Sequence, residues 1–223
     1  MSALTAAESH PSPKRTVVSL GMSCQAAHQL TRMAATSEGA VSFIKGPFDW
    51  LICEPTAAAA WLRAGLCPFD AGQIVERQGH AWWPEFGFWF WHGFFQKNVS
   101  GKPLDIPGTL DRELSKLAHQ AQVFDTLSPQ NTLFVWANSQ NNLVGDVYSK
   151  DDPAPHLTGP KRQALQSALD GFFGMPTSIL FVSRSDRDDD GAADLHLPAE
   201  TSEWKGQDAD WDAMVRPHVF SFR

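Results

Sequence analysis

The chain lacks clustered basic residues and has few cysteines. Its 223 residues carry a formal net charge of −7, with 18 Lys and Arg against 25 Asp and Glu. Because nucleic-acid binding needs Lys and Arg grouped on one surface, we expect no nucleic-acid partner. The three cysteines, Cys24, Cys53 and Cys67, form no CxxC pair and leave an odd number. We therefore predict neither a zinc site nor a disulfide framework, and the sequence indicates no cofactor.

Long apolar runs are missing as well. No segment approaches the roughly 20 apolar residues of a membrane-spanning helix, and residues 1–15 lack the apolar core of a signal peptide. We therefore expect a cytoplasmic protein with no membrane partner. Residues 1–15 are predicted to form a disordered tail. Residues 16–223 have enough apolar content for a single domain with its own core.

Apolar strands alternate with amphipathic helices along this domain. This order predicts an α/β fold, a single three-layer domain with a mainly parallel sheet that is Rossmann-like or SGNH-like. The predicted strands are residues 16–20, 132–137 and 178–182, a strand-like run over 41–52 that breaks at Gly46-Pro47, and one strand with an irregular approach within 82–95. The predicted helices are residues 24–33, 56–64, 109–124 and 160–173.

The first strand leads through a Gly turn into a cysteine and then a helix. Cys24 is thereby placed at the first helical turn, where unpaired N–H groups and the helix dipole favour an anion. Since the thiolate is the nucleophilic form of cysteine, this position predicts covalent chemistry at Cys24. The alternative is that Cys24 is a small buried apolar residue behind a tight turn.

A thiol nucleophile needs a base and a group that orients the base. His92 follows the densest aromatic run and is the leading candidate for the base, with His28 as a competitor on the cysteine's own helix. Asn138 follows a predicted strand and is the candidate that orients His92. Because ligands bind at the carboxyl ends of parallel strands, Cys24 and Asn138 are expected on one rim of the sheet.

The turn Gly46-Pro-Phe-Asp-Trp50 supplies a carboxylate, Asp49, that is either a structural turn residue or part of the site. The substrate-binding residues are predicted to be Ser23, Gln25, Asp49 and Trp91. The substrate is expected to be a small molecule, a glycan or a peptide.

Three segments carry a resemblance to a known family. They are Ser19-Leu-Gly-Met-Ser-Cys-Gln-Ala-Ala-His-Gln-Leu30, Gly46-Pro-Phe-Asp-Trp-Leu-Ile52 and Phe90-Trp-His-Gly-Phe94. In this order they resemble the DUF1796 family, a family of bacterial proteins classed as papain-like cysteine peptidases. The resemblance implies a Cys/His pair at Cys24 and His92. The family tends to have an acidic residue directly after that histidine, where this chain has Gly93, so the third role moves to Asn138 or Asp49.

Two other resemblances lead to different functions. A strand that runs directly into the nucleophile is similar to SGNH-type esterases, which would use Ser23 or Cys24, then Asn138, then Asp194 and His196, although these last two are one residue too close together. The turn is also similar to the Gly-Asn-Cys-Gln turn of capsule-polysaccharide enzymes, which implies a transferase or a coenzyme-binding pocket.

The sequence thus leads first to a cysteine-dependent hydrolase or acyltransferase with Cys24 as nucleophile and His92 as base. A second hypothesis is a non-catalytic protein that binds carbohydrate or protein through the aromatic segment 82–95. The burial of its tryptophans distinguishes the two, since outward-pointing rings favour binding. A structural domain with an inert Cys24 and a polysaccharide-biosynthesis transferase-like protein are the remaining alternatives.

Overall fold

The computed structural model describes residues 15–96, 103–140, 143, 147–148, 155–199 and 204–222. The strands are β1 (Arg15–Ser19), β2 (Val41–Phe43), β3 (Leu51–Ile52), β4 (Val75–Arg77), β5 (His80–Trp83), β6 (Phe88–Phe90), β7 (Thr132–Asn138), β8 (Ser178–Ser183) and β9 (Leu195–His196). The α-helices are α1 (Cys24–Ala35), α2 (Pro55–Arg63), α3 (Ile106–Asp125), α4 (Gly159–Phe173), α5 (Asp208–Met214) and α6 (Arg216–Ser221). Short 3₁₀ turns lie at Ala71–Gln73, Pro129–Asn131 and Ser185–Arg187. Of the predicted tail, Arg15 belongs to β1 and the other residues lie outside the described part.

Five parallel strands form the main sheet in the order β2-β1-β7-β8-β9. The α/β class and the mainly parallel sheet are therefore confirmed. Both faces of the sheet are buried, since Val17 packs with α1 and the two C-terminal helices while Val18 packs with α2, α3 and α4. Continuous apolar strands such as β7, buried at every position, are typical of parallel sheets.

The strand order reverses at β1. The chain leaves β1 through α1 to pair with β2 on one side, and it later returns with β7 on the other side. In open α/β sheets such a reversal leaves a crevice at the carboxyl ends of the strands, where ligands bind. Here the reversal lies between β1 and β7, and the turn that precedes Cys24 follows the end of β1.

A second, antiparallel sheet has the order β3-β6-β5-β4. The prediction of one strand within 82–95 is wrong, because the segment folds back on itself. Gly87, with φ +76°, donates its N–H to the Trp83 carbonyl at 2.8 Å and closes a turn between β5 and β6. The strand-like run 41–52 also divides at the predicted break, so that β2 joins the parallel sheet and β3 the antiparallel one.

Candidate functional site

The turn after β1 has two successive residues with left-handed backbone, Gly21 (φ +87°) and Met22 (φ +68°). A Cβ at position 21 would lie 2.9 Å from the Cys53 sulfur, so both the backbone angle and the space require glycine. The Met22 N–H hydrogen-bonds to the buried Cys53 side chain. The turn is thus packed tightly against Cys53, and this fixes the direction in which α1 begins.

Cys24 is the first residue of α1, as predicted, and its thiol is buried. It is 2 % exposed, and burial raises the pKa of the Cys24 thiol to about 12, with a further upward contribution from the charge of Asp49. The favourable field of a helix N-terminus lowers a thiol pKa only where the thiolate is not stripped of solvent. Desolvation dominates here, so the predicted lowering of the Cys24 pKa is reversed and the resting group is the neutral thiol.

Asp49 is buried near this thiol, 4 % exposed. Its Oδ2 accepts a hydrogen bond from the Gly46 N–H at 3.2 Å, and burial raises the pKa of its carboxyl to about 8. Its Oδ1 has no hydrogen-bond partner within the described residues. The hydroxyl of Ser23, the residue before Cys24, is also buried and likewise has none there. Two buried polar atoms near Cys24 in the fold, one on the preceding residue and one on the carboxylate whose charge acts on the thiol, thus have no hydrogen-bond partner within the described residues.

Trp50 extends the site from Asp49 towards His92. Its backbone is left-handed (φ +66°), and its ring meets the His92 ring edge-on at 5.5 Å between centroids. His92 is half-buried, and desolvation, followed by the charges of His80 and Lys116, lowers its pKa. The hydrogen bonds found in the described part of the chain do not include one between Cys24 and His92. They do not include one between Cys24 and Asp49 either, but the charge of Asp49 contributes to the raised pKa of Cys24.

Trp204 covers the other side of Trp50, with their ring centroids 6.2 Å apart, and it meets His28 edge-on at 5.3 Å. The Trp204 carbonyl accepts a hydrogen bond from Gln25 Nε2 at 2.9 Å. Gln29 Nε2 donates to the Lys205 carbonyl at 2.8 Å. These hydrogen bonds hold Trp204 and Lys205 along the first turns of α1, which begins at Cys24.

The ends of β1 and β7 meet as the sequence suggested. Ser139, directly after β7, donates its hydroxyl hydrogen bond to Gln25 Oε1, so the first turn of α1 is tied to the end of β7. Gln25, predicted to bind substrate, accepts a hydrogen bond from Ser139 and donates one to Trp204. Its place in the site is to join three segments around the thiol.

Within the described residues, Asn138 hydrogen-bonds to partners other than His92. Its Nδ2 donates to the Pro155 carbonyl, and its Oδ1 accepts from the buried Arg187 guanidinium at 3.3 Å. Arg187 also donates to the Gln140 carbonyl at 2.7 Å, and burial lowers the pKa of Arg187 to about 10. The role predicted for Asn138 as the group that orients His92 therefore finds no hydrogen bond to support it. Asn138 instead braces the loops that follow β7 and β8.

The remaining predicted residues have partners of their own. Trp91 stacks on His80 with 3.7 Å between ring centroids. Asp194 accepts from the Phe181 N–H at 2.9 Å, and His196 pairs with Asp188 at 2.7 Å, so the esterase-like pair is engaged within the loops around β8 and β9.

The tryptophans of the aromatic segment do not mostly point outward. Trp83 is completely buried and Trp89 is 2 % exposed, whereas Trp82 and Trp91 are half-buried. A broad exposed aromatic platform is therefore absent from the described residues of this segment.

One carboxylate at the site escaped the sequence analysis. Glu113 of α3 is buried and ion-paired to Arg112 at 2.8 Å, and its Oε2 lies 3.6 Å from the place that a Cβ at Gly93 would occupy. It thus supplies a negative charge beside the position where the resembling family has an acidic residue. Glu113 and Asp49 both line a cavity of about 20 Å³, which has room for about one water molecule. The sequence feature that could have revealed Glu113 is a set of polar residues on the buried face of α3, namely Thr109, Glu113 and Gln120.

Comparisons with known proteins assign no family. No family model matches the chain, and neither the curated proteins nor the solved structures contain a match. Within the described residues, no group of three or more His, Cys, Asp or Glu side chains is arranged to hold a metal ion. The helices of the described part also include none that is long and apolar enough to cross a membrane.

Proposed function

We propose that the chain is a cysteine-dependent acyl hydrolase or acyltransferase, with Cys24 as the nucleophile at the crevice between β1 and β7. The proposal is carried by the two unpartnered atoms beside the thiol, Ser23 Oγ and Asp49 Oδ1. A buried polar atom without a partner costs about 1–3 kcal/mol. The described residues contain five such atoms, and Ser23 Oγ and Asp49 Oδ1 are the two that belong to the surroundings of Cys24. Two of them next to a thiol at a strand-order reversal favour a site that is completed by substrate.

The proposal gives the first proton transfer to Asp49. The pKa of Cys24 is raised to about 12 and that of Asp49 to about 8, so moving the proton between them costs about 5 kcal/mol. Transfer to His92 costs more, because its pKa is lowered below the ordinary value of 6.5. His92, which the sequence analysis placed as the base, is retained as a positioning residue that holds the Trp50 ring.

The chemistry balances with water or an acceptor alcohol as the second reactant. Asp49 takes the thiol proton while the Cys24 sulfur bonds to the carbonyl carbon. The bond to the leaving alcohol, thiol or amine then breaks, and that group receives the proton from Asp49. Water then attacks the resulting thioester while Asp49 takes a proton from it. The acid is released as the bond from carbon to sulfur breaks, and Asp49 returns the proton to the Cys24 sulfur. The first N–H groups of α1, which have no intrahelical partner, stabilise the oxyanion.

The proposal also includes the finer fold assignment, a three-layer arrangement that is Rossmann-like or SGNH-like. The burial of both sheet faces supports it. The strand that enters the nucleophile turn directly supports it as well. The substrate that this site would take is a short acyl ester, an acyl thioester or a peptide.

The test is turnover of short-chain p-nitrophenyl esters and an acetyl thioester by the wild type and by variants of each cysteine. Cys24→Ala is expected to reduce turnover at least ~10³-fold, as loss of a nucleophile does. Cys67→Ala is the control, since Cys67 is a free, half-exposed thiol that follows α2, outside the turn before Cys24. Cys53→Ala is compared as well, with a partial loss expected because it removes the sulfur against which that turn packs. Turnover that survives Cys24→Ala, or no turnover by the wild type, overturns the proposal.

The assignment of the base has its own test. With Asp49 as base, the rate rises with pH and levels off above about pH 8. Asp49→Asn abolishes that rise, whereas His92→Gln changes the rate without moving its midpoint. A midpoint that shifts in His92→Gln and stays in Asp49→Asn would return the role of base to His92.

A further inference from the structure

A second cavity lies away from Cys24, between the antiparallel sheet and α2. Its volume is about 430 Å³, which is within the range of ~300–1,000 Å³ typical of small-molecule sites. Its lining mixes aromatic rings with charged groups. The lining residues that matter for binding are Glu54, Arg77, Trp82, Glu85, Phe86 and Tyr148.

Arg77, at the end of the edge strand β4, is the cation of this cavity. Its guanidinium carbon lies 4.9 Å from the ring centroid of Trp82 and 4.9 Å from that of Trp89. The two indoles are 4.8 Å apart, so together they form one support beneath the guanidinium. Because this planar group is already held in one orientation, Arg77 loses little further side-chain entropy when a ligand binds to it.

The guanidinium of Arg77 makes no hydrogen bond or ion pair within the described part of the chain, although two carboxylates line the same cavity. Glu54 is paired with Lys161 at 3.1 Å, and Glu85 accepts a hydrogen bond from Gln73 at 3.0 Å. An exposed arginine that is stacked in place but lacks an anion is arranged to receive one. Its fork of N–H groups matches a carboxylate with two parallel hydrogen bonds.

The two glutamates define the rest of the ligand. They would repel a doubly charged phosphate group, whereas a carboxylate brings a single negative charge. Carboxylate oxygens accept hydrogen bonds from hydroxyl groups. The half-buried rings of Trp82, Phe86 and Tyr148 offer apolar contact to the faces of a sugar ring.

We propose that this cavity binds an acidic sugar, with the sugar carboxylate on Arg77 and its hydroxyls on the side of Glu85. The site is separate from the Cys24 site, so its test does not depend on acyl chemistry. It assigns glycan binding to the surroundings of Arg77 and Trp82, rather than to a surface of exposed tryptophans along the aromatic segment.

Binding is measured by tryptophan fluorescence and calorimetry with three probes: disaccharides that contain glucuronate, galacturonate or sialate. Each acid is compared with its neutral methyl ester. The wild type is expected to bind at least one acid, and ten-fold or more tighter than its ester. Arg77→Gln abolishes the difference between acid and ester. Arg77→Lys, which keeps the charge and loses the fork, weakens binding of the acid about ten-fold or more.

Arg216→Gln is the matched control, because it removes one surface arginine from α6 and leaves the cavity intact. Free glycine and inorganic phosphate are titrated in parallel. Absence of binding to all three acids, equal affinity for acid and ester, or undiminished binding in both Arg77 variants overturns the proposal. Binding of glycine or phosphate in preference to every acidic sugar overturns the assignment of the ligand.

Discussion

Asp49→Asn is predicted to stabilise the protein at high pH. The pKa of Asp49 is raised from the ordinary 3.8 to about 8 because the carboxyl is buried, with a single hydrogen bond from Gly46. In the folded state the proton is kept up to about pH 8, while the unfolded chain releases it near pH 4. Unfolding in this window therefore releases a proton, and the free energy of unfolding falls as the pH rises.

The size of the effect follows from the shift. Each pH unit between about 4 and 8 lowers the free energy of unfolding by ~1.4 kcal/mol, and the total reaches about 5 kcal/mol at pH 8 and above. The asparagine side chain of the variant has nearly the shape of the protonated carboxyl and does not titrate. The variant is thus expected to match the wild type near pH 4 and to exceed its stability increasingly up to pH 8.

Urea unfolding of both proteins at intervals from pH 4 to 9 measures this difference directly. Because other titrating groups are common to both proteins, their contributions cancel in the comparison. Asp111→Asn, an exposed site on α3, is the control for the same carboxylate-to-amide change outside the site. A difference for Asp49→Asn that is independent of pH, or a wild type that is the more stable protein at pH 8, would refute a protonated buried Asp49.

Three further predictions concern the surroundings of the site. Gly21→Ala should destabilise the fold by more than Gly39→Ala. Both positions have positive φ, but only the Cβ at position 21 would meet the Cys53 sulfur, at 2.9 Å. Equal losses of stability in thermal unfolding would contradict this. Iodoacetamide at pH 8 should label Cys67 well before Cys24 and Cys53. A thiol of pKa about 12 is ionised in only ~1 molecule in 10⁴ at that pH. Rapid labelling of Cys24, mapped by mass spectrometry, would show that the resting thiol is activated. Asn138→Ala should cost about 2 kcal/mol through its bond to the buried Arg187, against less than ~0.5 kcal/mol for Asn131→Ala; denaturant unfolding that gives equal values would refute the bracing role.

The parallel sheet and its helices could be predicted from the sequence because the patterns that indicate them are local. Continuous apolar runs such as residues 132–137 and helix spacings such as Leu110, Leu114 and Leu117 predict elements without knowledge of their partners. The prediction of a single strand in the aromatic segment was wrong because it also relied on a local pattern. Its large residues favour extended structure at every position, while the turn at Gly87 that divides it depends on a single residue.

The site was predicted less completely, because its chemistry depends on burial and on contacts between distant segments. The position of Cys24 at a helix start follows from a local pattern, but the desolvation that raises its pKa does not. The carboxylate beside Gly93 comes from Glu113, twenty residues later, and is recognised only once α3 packs against the turn. The partners of Asn138 likewise lie in loops whose placement no spacing reveals.

The most direct test of a nucleophilic Cys24 is the mass of the protein quenched in acid during turnover of an acetyl ester or thioester. The account predicts a single acetyl adduct that maps to the peptide containing Cys24, disappears in Cys24→Ala and persists in Cys53→Ala and Cys67→Ala. If the acetyl group is found on Cys24 and not on the more exposed Cys67, the substrate activates a thiol that is neutral at rest. Acetylation of Cys67 alone, or turnover with no adduct on Cys24 at any quench time, would contradict the account.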